Sequence, residues 1–189
     1  MDFETQLGQR LVIFVVGSLL NVIFSWRSLH NVHVHGFYRF FIFEGILVML
    51  LINGAMGPIE ISDWLKRMSQ FLNALAVVLV VTGVYQLRRS GGYRERETFP
   101  ANKPFENTER LVTGGIYHYV RHPMYGSLIM FAWGICLGYP TKAGAALAVI
   151  TTLAAYMAAK VEERENAAHF GDHYVRYMKC TAMFIPFLL

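Results

Sequence analysis

The densest group of chemically useful side chains lies at residues 111–125, in the stretch Leu-Val-Thr-Gly-Gly-Ile-Tyr-His-Tyr-Val-Arg-His-Pro-Met-Tyr. Gly114 and Gly115 suit a tight turn that lets backbone approach a ligand. Pro123 suits the first position of a helix, which would place His122 at a helix N-terminus, where free N–H groups favour an anion. Six side chains within nine residues then supply hydrogen-bond donors, positive charge and aromatic faces: Tyr117, His118, Tyr119, Arg121, His122 and Tyr125. The same side chains would also suit an interfacial belt at the lipid headgroups, and the sequence leaves both interpretations open.

A second polar group runs from Lys160 to Glu165 and continues from His169 to Tyr177. A carboxylate here, where an apolar run ends, could accept hydrogen bonds from an amine or a ribose. For Glu162, a ligand role and a solvated helix face are equally favoured. For Glu163 and Glu165 the pattern favours a solvated face with local charge pairs.

Two further groups are weaker candidates. Glu44 is an acid inside an apolar run, and such residues are functional candidates by default. The pattern nevertheless favours a structural role, with Arg39 as an imperfect partner five positions earlier. His30, His33 and His35 share a short loop without cysteine or acid, so we expect solvated histidines and no metal site.

Five apolar runs must position these groups. A membrane helix needs about 20 apolar residues, and the first run has this length. The fourth run is short, so it would either cross the membrane fully or form a shorter hairpin with the fifth run. The runs cover residues 7–26, 37–56, 71–87, 123–139 and 143–159. We predict an all-α polytopic membrane protein with about five transmembrane helices. Residues 1–189 would form one domain, with three helices in 1–88 and a catalytic portion in 89–189 that combines a helical hairpin with a C-terminal tail.

Composition excludes several classes of protein. The chain is 54% hydrophobic and 16% charged, against about 25% charged in soluble domains. The net charge of +4 comes from basic residues in short loops, which argues against nucleic acid and for membrane lipids as partners. Cys136 and Cys180 show no pairing or metal-ligand spacing. Nucleotide-binding glycine signatures and internal repeats are absent from the sequence.

The basic residues also orient the chain. If the N-terminus is outside and all five runs cross, thirteen of the seventeen lysines and arginines lie on one face. The positive-inside rule places that face in the cytoplasm. The loop 88–122 and the tail 160–189 then meet on the cytoplasmic side and can build one site.

The two polar groups together resemble the isoprenylcysteine carboxyl methyltransferase family. The resemblance covers roughly residues 100–187. It rests on Arg-His-Pro-Met-Tyr at 121–125, the pair Glu162-Glu163, Phe-Gly-Asp-His-Tyr at 170–174, and Ile185-Pro186. It implies a membrane enzyme that uses S-adenosylmethionine and methylates the carboxylate of an isoprenylated cysteine or a similar amphiphilic acid. A carboxylate is already ionised at neutral pH, so such a reaction needs no general base.

The resemblance also implies the roles of individual residues. Arg121 and His122 are the candidate catalytic residues. The family has a substrate-binding arginine where this chain has Ala158, so Arg121, Lys160 or Arg164 would have to bind the substrate carboxylate. The cofactor would contact Asn102, Glu109, Arg110, Leu111, Val112, Tyr117, His122, Pro123, Met124, Tyr125 and Glu162.

Other functions stay open at this point. A lipid amine methyltransferase, such as one that acts on phospholipids, would need a group to take up a proton. An NADPH-dependent reductase of the sterol type shares part of the tail pattern. A membrane scaffold or transporter without enzymatic activity is disfavoured, because most helices have few polar residues and no symmetry is visible.

Overall fold

The computed structural model describes residues 3–55, 59–92 and 108–186, and within these ranges the chain forms six α-helices. They are α1 (Phe3–Leu29), α2 (His35–Ala55), α3 (Asp63–Ser90), α4 (Pro123–Gly138), α5 (Lys142–Phe170) and α6 (Asp172–Cys180). Four of the described helices, α1, α2, α3 and α5, are long and apolar enough to cross a membrane, whereas α4 has only 16 residues. The predicted class of all-α polytopic membrane protein is confirmed, with α4 as a shorter apolar helix.

The ends of the helices follow local sequence signals. Pro123 is the first residue of α4 and His122 is its N-cap, as the sequence predicts. The side-chain oxygen of Thr141 accepts a hydrogen bond from the backbone N–H of Gly144 at 2.9 Å and caps α5. Gly171, with a φ of 60°, ends α5 in a conformation that glycine adopts without a steric cost. The helix α5 therefore continues well beyond the apolar run 143–159.

The bundle is assembled from helix pairs. Helix α3 packs on α4, α2 on α5, α1 on α2, and α4 on α5. Small side chains allow this close approach, since Ala148, Ala155, Ala158 and Ala159 of α5 are fully buried. The end of α3, the start of α4, the start of α2 and the last turns of α5 all contribute to the wall of one cavity.

The segment after α6 runs back along the loop that precedes α4. Val120 and Ala182 form a parallel bridge. The N–H of Arg121 donates to the carbonyl oxygen of Ala182 at 2.9 Å, and the N–H of His122 donates to that of Met183 at 3.1 Å. Met183 is buried, and Phe184 packs against the core. The predicted contact between the end of the tail and the protein is seen up to residue 186, and residues 187–189 lie outside the described ranges.

Candidate active site

A cavity of about 500 Å³ lies between the helices at the end of the bundle where α3 ends and α4 begins. Its wall takes residues from all six helices and from the loop 108–122. Most of the side chains that the sequence singled out line it. They are Leu111, Val112, Tyr117, Arg121, His122, Pro123, Met124, Tyr125 and Glu162. The expected meeting of the loop and the tail is therefore present in the structure.

Four of the sequence candidates among the described residues are not part of this wall. Glu109 and Arg110 are exposed and lie beside the cavity rather than in its lining. Lys160 and Arg164 do not line it either. Arg164 is exposed, and the Lys160 ammonium lies 3.2 Å from Glu163 Oε2. Asn102 lies outside the described residues.

The tight turn predicted at Gly114-Gly115 is present. Gly115 has a φ of 62° and begins a short 3-10 turn, Gly115–His118. A Cβ atom at Gly115 would lie 2.9 Å from Oε1 of Gln86 on α3. The backbone at Gly115 therefore lies close to a side chain of α3 rather than to a ligand. This contact places the loop that carries Tyr117 against that helix.

Arg121 holds the loop, α5 and the tail together. Its Nε donates to Glu163 Oε1 at 2.8 Å, and its Nη1 donates to the carbonyl oxygens of Met178, at 3.0 Å, and Thr181. The side chains of Arg121 and Glu163 are 10% and 7% exposed. The solvated face expected for Glu163 is wrong, because this carboxylate is buried and paired with a residue 42 positions away.

His122 lies between the two adjacent glutamates of α5. Its Nδ1 is 3.9 Å from Glu162 Oε1, and its Nε2 is 3.6 Å from Glu163 Oε1. The residue is 4% exposed, and Nε2 has no hydrogen-bond partner within the described residues. Glu162 is the more open of the two acids, with a side chain that is 27% exposed. The site thus combines a buried imidazole with an accessible carboxylate.

Two tyrosines of α6 complete the wall near the loop. The Tyr177 hydroxyl donates to the carbonyl oxygen of Tyr117 at 2.6 Å. Burial raises the pKa of Tyr177. Burial, and then the negative charge of Glu162, raise the pKa of Tyr174. Both hydroxyls therefore stay protonated at neutral pH and act as neutral donors.

Sequence reasoning missed one buried pair, of which one member lines the cavity. His35, expected to be solvated in a loop, is the first residue of α2, is 3% exposed and lines the cavity. Its Nδ1 lies 2.8 Å from Glu165 Oε2, and its backbone N–H donates to Glu165 Oε1 at 3.1 Å. Glu165 is itself 3% exposed, so the expected solvated face is wrong here too. His30 and His33 are exposed, as predicted.

Glu44 has a structural environment away from this cavity. It accepts hydrogen bonds from the hydroxyl of Ser18 and, at 3.0 Å, from Nδ2 of Asn21, both on α1. The Arg39 guanidinium instead lies 5.0 Å above the ring of Phe24 and lines the cavity. The part of the chain that the structure describes contains no group of three or more His, Cys, Asp or Glu side chains that could hold a metal ion.

Comparisons with known proteins are consistent with this geometry. A family model described as phospholipid methyltransferase matches residues 66–173. Methanethiol S-methyltransferase of Crocosphaera subtropica is 26% identical over 149 residues, which cover 75% of this chain and 58% of that protein. Methanethiol S-methyltransferase 1 of Bradyrhizobium diazoefficiens is 32% identical over 77 residues, which cover 41% of this chain and 26% of that protein. The chain thus spans little more than half the length of the first relative. No solved structure matches.

Proposed function

We propose, from the premise that this chain belongs to the phospholipid methyltransferase family, that it transfers a methyl group from S-adenosylmethionine to an apolar or amphiphilic acceptor. The reaction would take place at the cytoplasmic end of the membrane bundle. The observation that carries the proposal is the single cavity in which the loop before α4 and the last turns of α5 meet. Family membership favours methyl transfer over the NADPH-dependent reduction that part of the tail pattern also suggested.

The cavity has the size and the groups that this cofactor needs. Its volume of about 500 Å³ lies within the range of small-molecule sites. When bound, S-adenosylmethionine supplies an electrophilic methyl group on a positively charged sulfonium. The Glu162 carboxylate could accept hydrogen bonds from its ammonium or ribose, and the Tyr117 and Tyr174 rings offer faces to a cation. Among the described residues, Nε2 of His122 is a buried polar atom without a hydrogen-bond partner, so a ligand that bonded to it would offset the cost of its burial.

The acceptor side of the cavity is apolar. Its wall includes Phe24 of α1, Phe43 of α2, and Val80 and Val84 of α3. Helices α1 and α3 both line the cavity, but among the described residues they do not pack extensively against each other. An apolar acceptor could therefore reach the cavity from the bilayer between α1 and α3, while the polar cofactor enters from water.

The carboxylate of an isoprenylated cysteine or a similar acid is the first candidate acceptor, on the sequence resemblance. This carboxylate would need a positively charged side chain as its partner, and the expected candidates do not supply one. Ala158 is fully buried, and the Arg121 guanidinium already bonds Glu163 and two carbonyl oxygens. Arg39 and Arg88 are the remaining arginines of the wall. These two arginines, rather than Lys160 or Arg164, would bind a carboxylate in this cavity.

A small thiol is the second candidate acceptor. Both relatives reported above are methanethiol S-methyltransferases. A thiol carries no charge in its protonated form, so it would suit an apolar wall without a dedicated cation. The lipid amine of a phospholipid is the third, in line with the description of the family model.

Binding of S-adenosylhomocysteine to the detergent-purified protein tests the cofactor. We expect saturable binding by calorimetry, and a loss of at least about tenfold in affinity in Glu162→Ala, because a hydrogen bond to a charged group contributes roughly 1.5–3 kcal/mol. Glu60→Ala removes an exposed acid that precedes α3, at the end of that helix away from the cavity, and is the matched control. A folded wild-type protein that binds no S-adenosylhomocysteine would rule out the proposed activity.

The acceptor is identified by transfer of a labelled methyl group. Prenylcysteine, methanethiol and phosphatidylethanolamine are offered separately, and the methyl ester, thioether and methylamine products are distinguished by chromatography. Ester formation would support the isoprenylcysteine proposal, and thioether formation would support the thiol. Labelled phosphatidylethanolamine alone would exclude both and support the lipid amine.

A further inference from the structure

A groove on the surface of the bundle, between α1 and α2, adjoins the cavity. Its wall is formed by seven residues of these two helices: Gly17, Leu20, Asn21, Ile23, Phe24, Phe43 and Leu47. Two of them, Phe24 and Phe43, also belong to the wall of the cavity. The cavity and this α1–α2 groove therefore share a boundary, and a single molecule can occupy both.

The spacing of the wall residues gives the groove a direction. On α1 they recur at the i, i+3, i+4 and i+7 spacing of one helix face, from Gly17 to Phe24. This distance is about two helical turns, or roughly 10 Å. Residue 17 lies near the middle of the apolar span Leu7–Leu29. The groove thus leads from the cavity toward the centre of the bilayer.

Polar contacts at the level of the groove hold α1 and α2 in place. Nδ2 of Asn21 donates to the carbonyl oxygen of Phe40 at 3.1 Å and to Glu44 Oε2 at 3.0 Å. The Ser18 hydroxyl donates to Glu44 as well. Because the amide hydrogens of Asn21 are bonded within the protein, this polar residue adds little polarity to the groove. The groove is therefore preformed and largely apolar.

The two ends of the groove differ in chemistry. At the far end, a Cβ atom on Gly17 would lie 2.9 Å from Cδ2 of Leu47, so a side chain there would compete with this leucine for space. At the cavity end, the ring of Phe24 lies 5.0 Å from the Arg39 guanidinium. Positive charge thus lies beside the cavity, and apolar side chains lie toward the bilayer centre. This polarity matches an amphiphile with one polar end.

We propose that the α1–α2 groove holds a hydrocarbon chain of the methyl acceptor, which is therefore an amphiphile whose chain reaches toward the bilayer centre. The inference rests on the proposed methyltransferase activity and names the class of its substrate. The shared boundary at Phe24 and Phe43 carries it. A chain that fills the groove places the group attached to it in the cavity. A small acceptor such as methanethiol would use the cavity alone.

A chain of an ordinary bilayer lipid is the competing occupant. Lipid tails and the groove are similarly apolar, so no chain gains much affinity by moving from one to the other. The groove therefore contributes to the orientation of the acceptor rather than to its affinity. Orientation acts on the rate, since a misplacement of about 1 Å at the reacting atoms can cost about 100-fold. A comparison of rates with long and short acceptors thus tests this role.

The experiment compares Leu20→Trp, which places an indole at the groove, with Leu19→Trp as the matched control. Leu19 and Leu20 are 57% and 61% exposed, but only Leu20 belongs to the groove wall. Each protein is offered three pairs of acceptors, in which a long and a short chain carry the same head group. The pairs are octanethiol and ethanethiol, the S-farnesyl and S-methyl forms of N-acetylcysteine, and dioleoyl and dibutyryl phosphatidylethanolamine.

The groove should matter only for the long member of the pair that is methylated. For Leu20→Trp we expect kcat/KM to fall at least about tenfold with the long acceptor and to change less than about threefold with the short one. Leu19→Trp should resemble the wild type with both. All proteins are assayed in the same micelles, so partitioning of the long acceptor cancels in the comparison. Equal losses with both acceptors, or wild-type rates in Leu20→Trp, would overturn the proposal.

A second readout does not require methyl transfer. The long acceptors carry a diazirine at the chain end, and a diazirine-tagged alkane without a head group reports ordinary contact with the micelle interior. We expect at least one tagged acceptor to crosslink to residues 17–24 or 43–47 more strongly than the alkane does, and to lose this excess in Leu20→Trp but not in Leu19→Trp. Labelling no stronger than that of the alkane would assign the groove to lipid chains and overturn the proposal. Excess labelling of a protein that transfers no methyl group would disprove the proposed function while the chain site stands.

Discussion

Two adjacent glutamates on α5 have opposite surroundings. Glu163 is 6% exposed and contacts Arg121 and Lys160, whereas the Glu162 side chain is 27% exposed and lines the cavity. Successive residues of an α-helix point about 100° apart. One carboxylate therefore lies in a buried ion pair while its neighbour faces the cavity, so the two should respond differently to substitution.

At this scale we predict that Arg121→Gln destabilises the protein. The change leaves the Glu163 carboxylate buried with Lys160 and, at 3.6 Å, His122 Nε2 beside it, and it removes two hydrogen bonds to the tail. We expect a loss of about 3 kcal/mol in unfolding free energy, at the low end for a broken buried ion pair because Lys160 remains. Denaturant unfolding in detergent measures it. Arg164→Gln, a change at an exposed arginine next to Glu163 on α5, should have little effect, and equal effects would contradict the role given to Arg121.

The sequence predicted part of this residue pattern. The resemblance selected Glu162 and eight residues of the stretch 111–125, and all of these line the cavity. The burial of Glu163 and Glu165 was missed, because a local pattern compares a residue with neighbours three or four positions away. Their partners are Arg121 and His35, at 42 and 130 positions. Only the fold brings such pairs together.

At the scale of elements, polar side chains connect α1 to α2. Ser18 and Asn21 of α1 both donate to Glu44 of α2, and Asn21 Nδ2 also lies 3.1 Å from the carbonyl oxygen of Phe40. Helices in a bilayer gain little from the hydrophobic effect when they associate, so interhelical hydrogen bonds and close packing hold them together. Glu44 is thus a structural acid, which is the role the sequence favoured, with partners on α1 in place of Arg39.

We predict that Glu44→Ala weakens the contact between α1 and α2 by about 1–2 kcal/mol, since it removes two interhelical hydrogen bonds. Unfolding in mixed detergent micelles would show the loss. Thr82→Ala is the matched control, because the Thr82 hydroxyl bonds the carbonyl oxygen of Val78 within its own helix. A Glu44→Ala protein as stable as the wild type would mean that packing alone holds α1.

The apolar runs predicted the helices but not their lengths. The run 71–87 lies inside α3, which begins at Asp63, and the run 143–159 lies inside α5, which ends at Phe170. Hydropathy marks the stretch that a bilayer can accept, whereas a helix continues until its backbone is interrupted, as at Gly171. The part of α5 beyond the apolar run carries Glu162, Glu163 and Glu165.

At the scale of the whole molecule, the cavity draws on every part of the chain. Wall residues come from α1 and α2 as well as from the segment after residue 89. This supports the proposal of one domain over residues 1–189. It also extends the proposed catalytic portion, because Phe24, His35 and Arg39 belong to the first two helices.

The proposed orientation has a direct test in the two free cysteines. Cys180 is exposed at the end of α6, near the cavity, and Cys136 is buried. We expect a membrane-impermeant maleimide to label Cys180 only after the cells are permeabilised, because the proposed orientation places the basic end of the bundle in the cytoplasm. Ser62→Cys, placed at the start of α3 in a Cys180→Ala background, should be labelled in intact cells. The reverse pattern would invert the topology.

The pairing of residues 119–122 with residues 182–183 also bears on the order in which the protein is made. Val120 leaves the ribosome some sixty residues before Ala182, its partner in the parallel bridge. During that interval α4 and α5 can enter the membrane, yet the Arg121 side chain has neither of its carbonyl partners in the tail. The site can therefore be completed only after residues 178–183 have left the ribosome, later than α4 and α5.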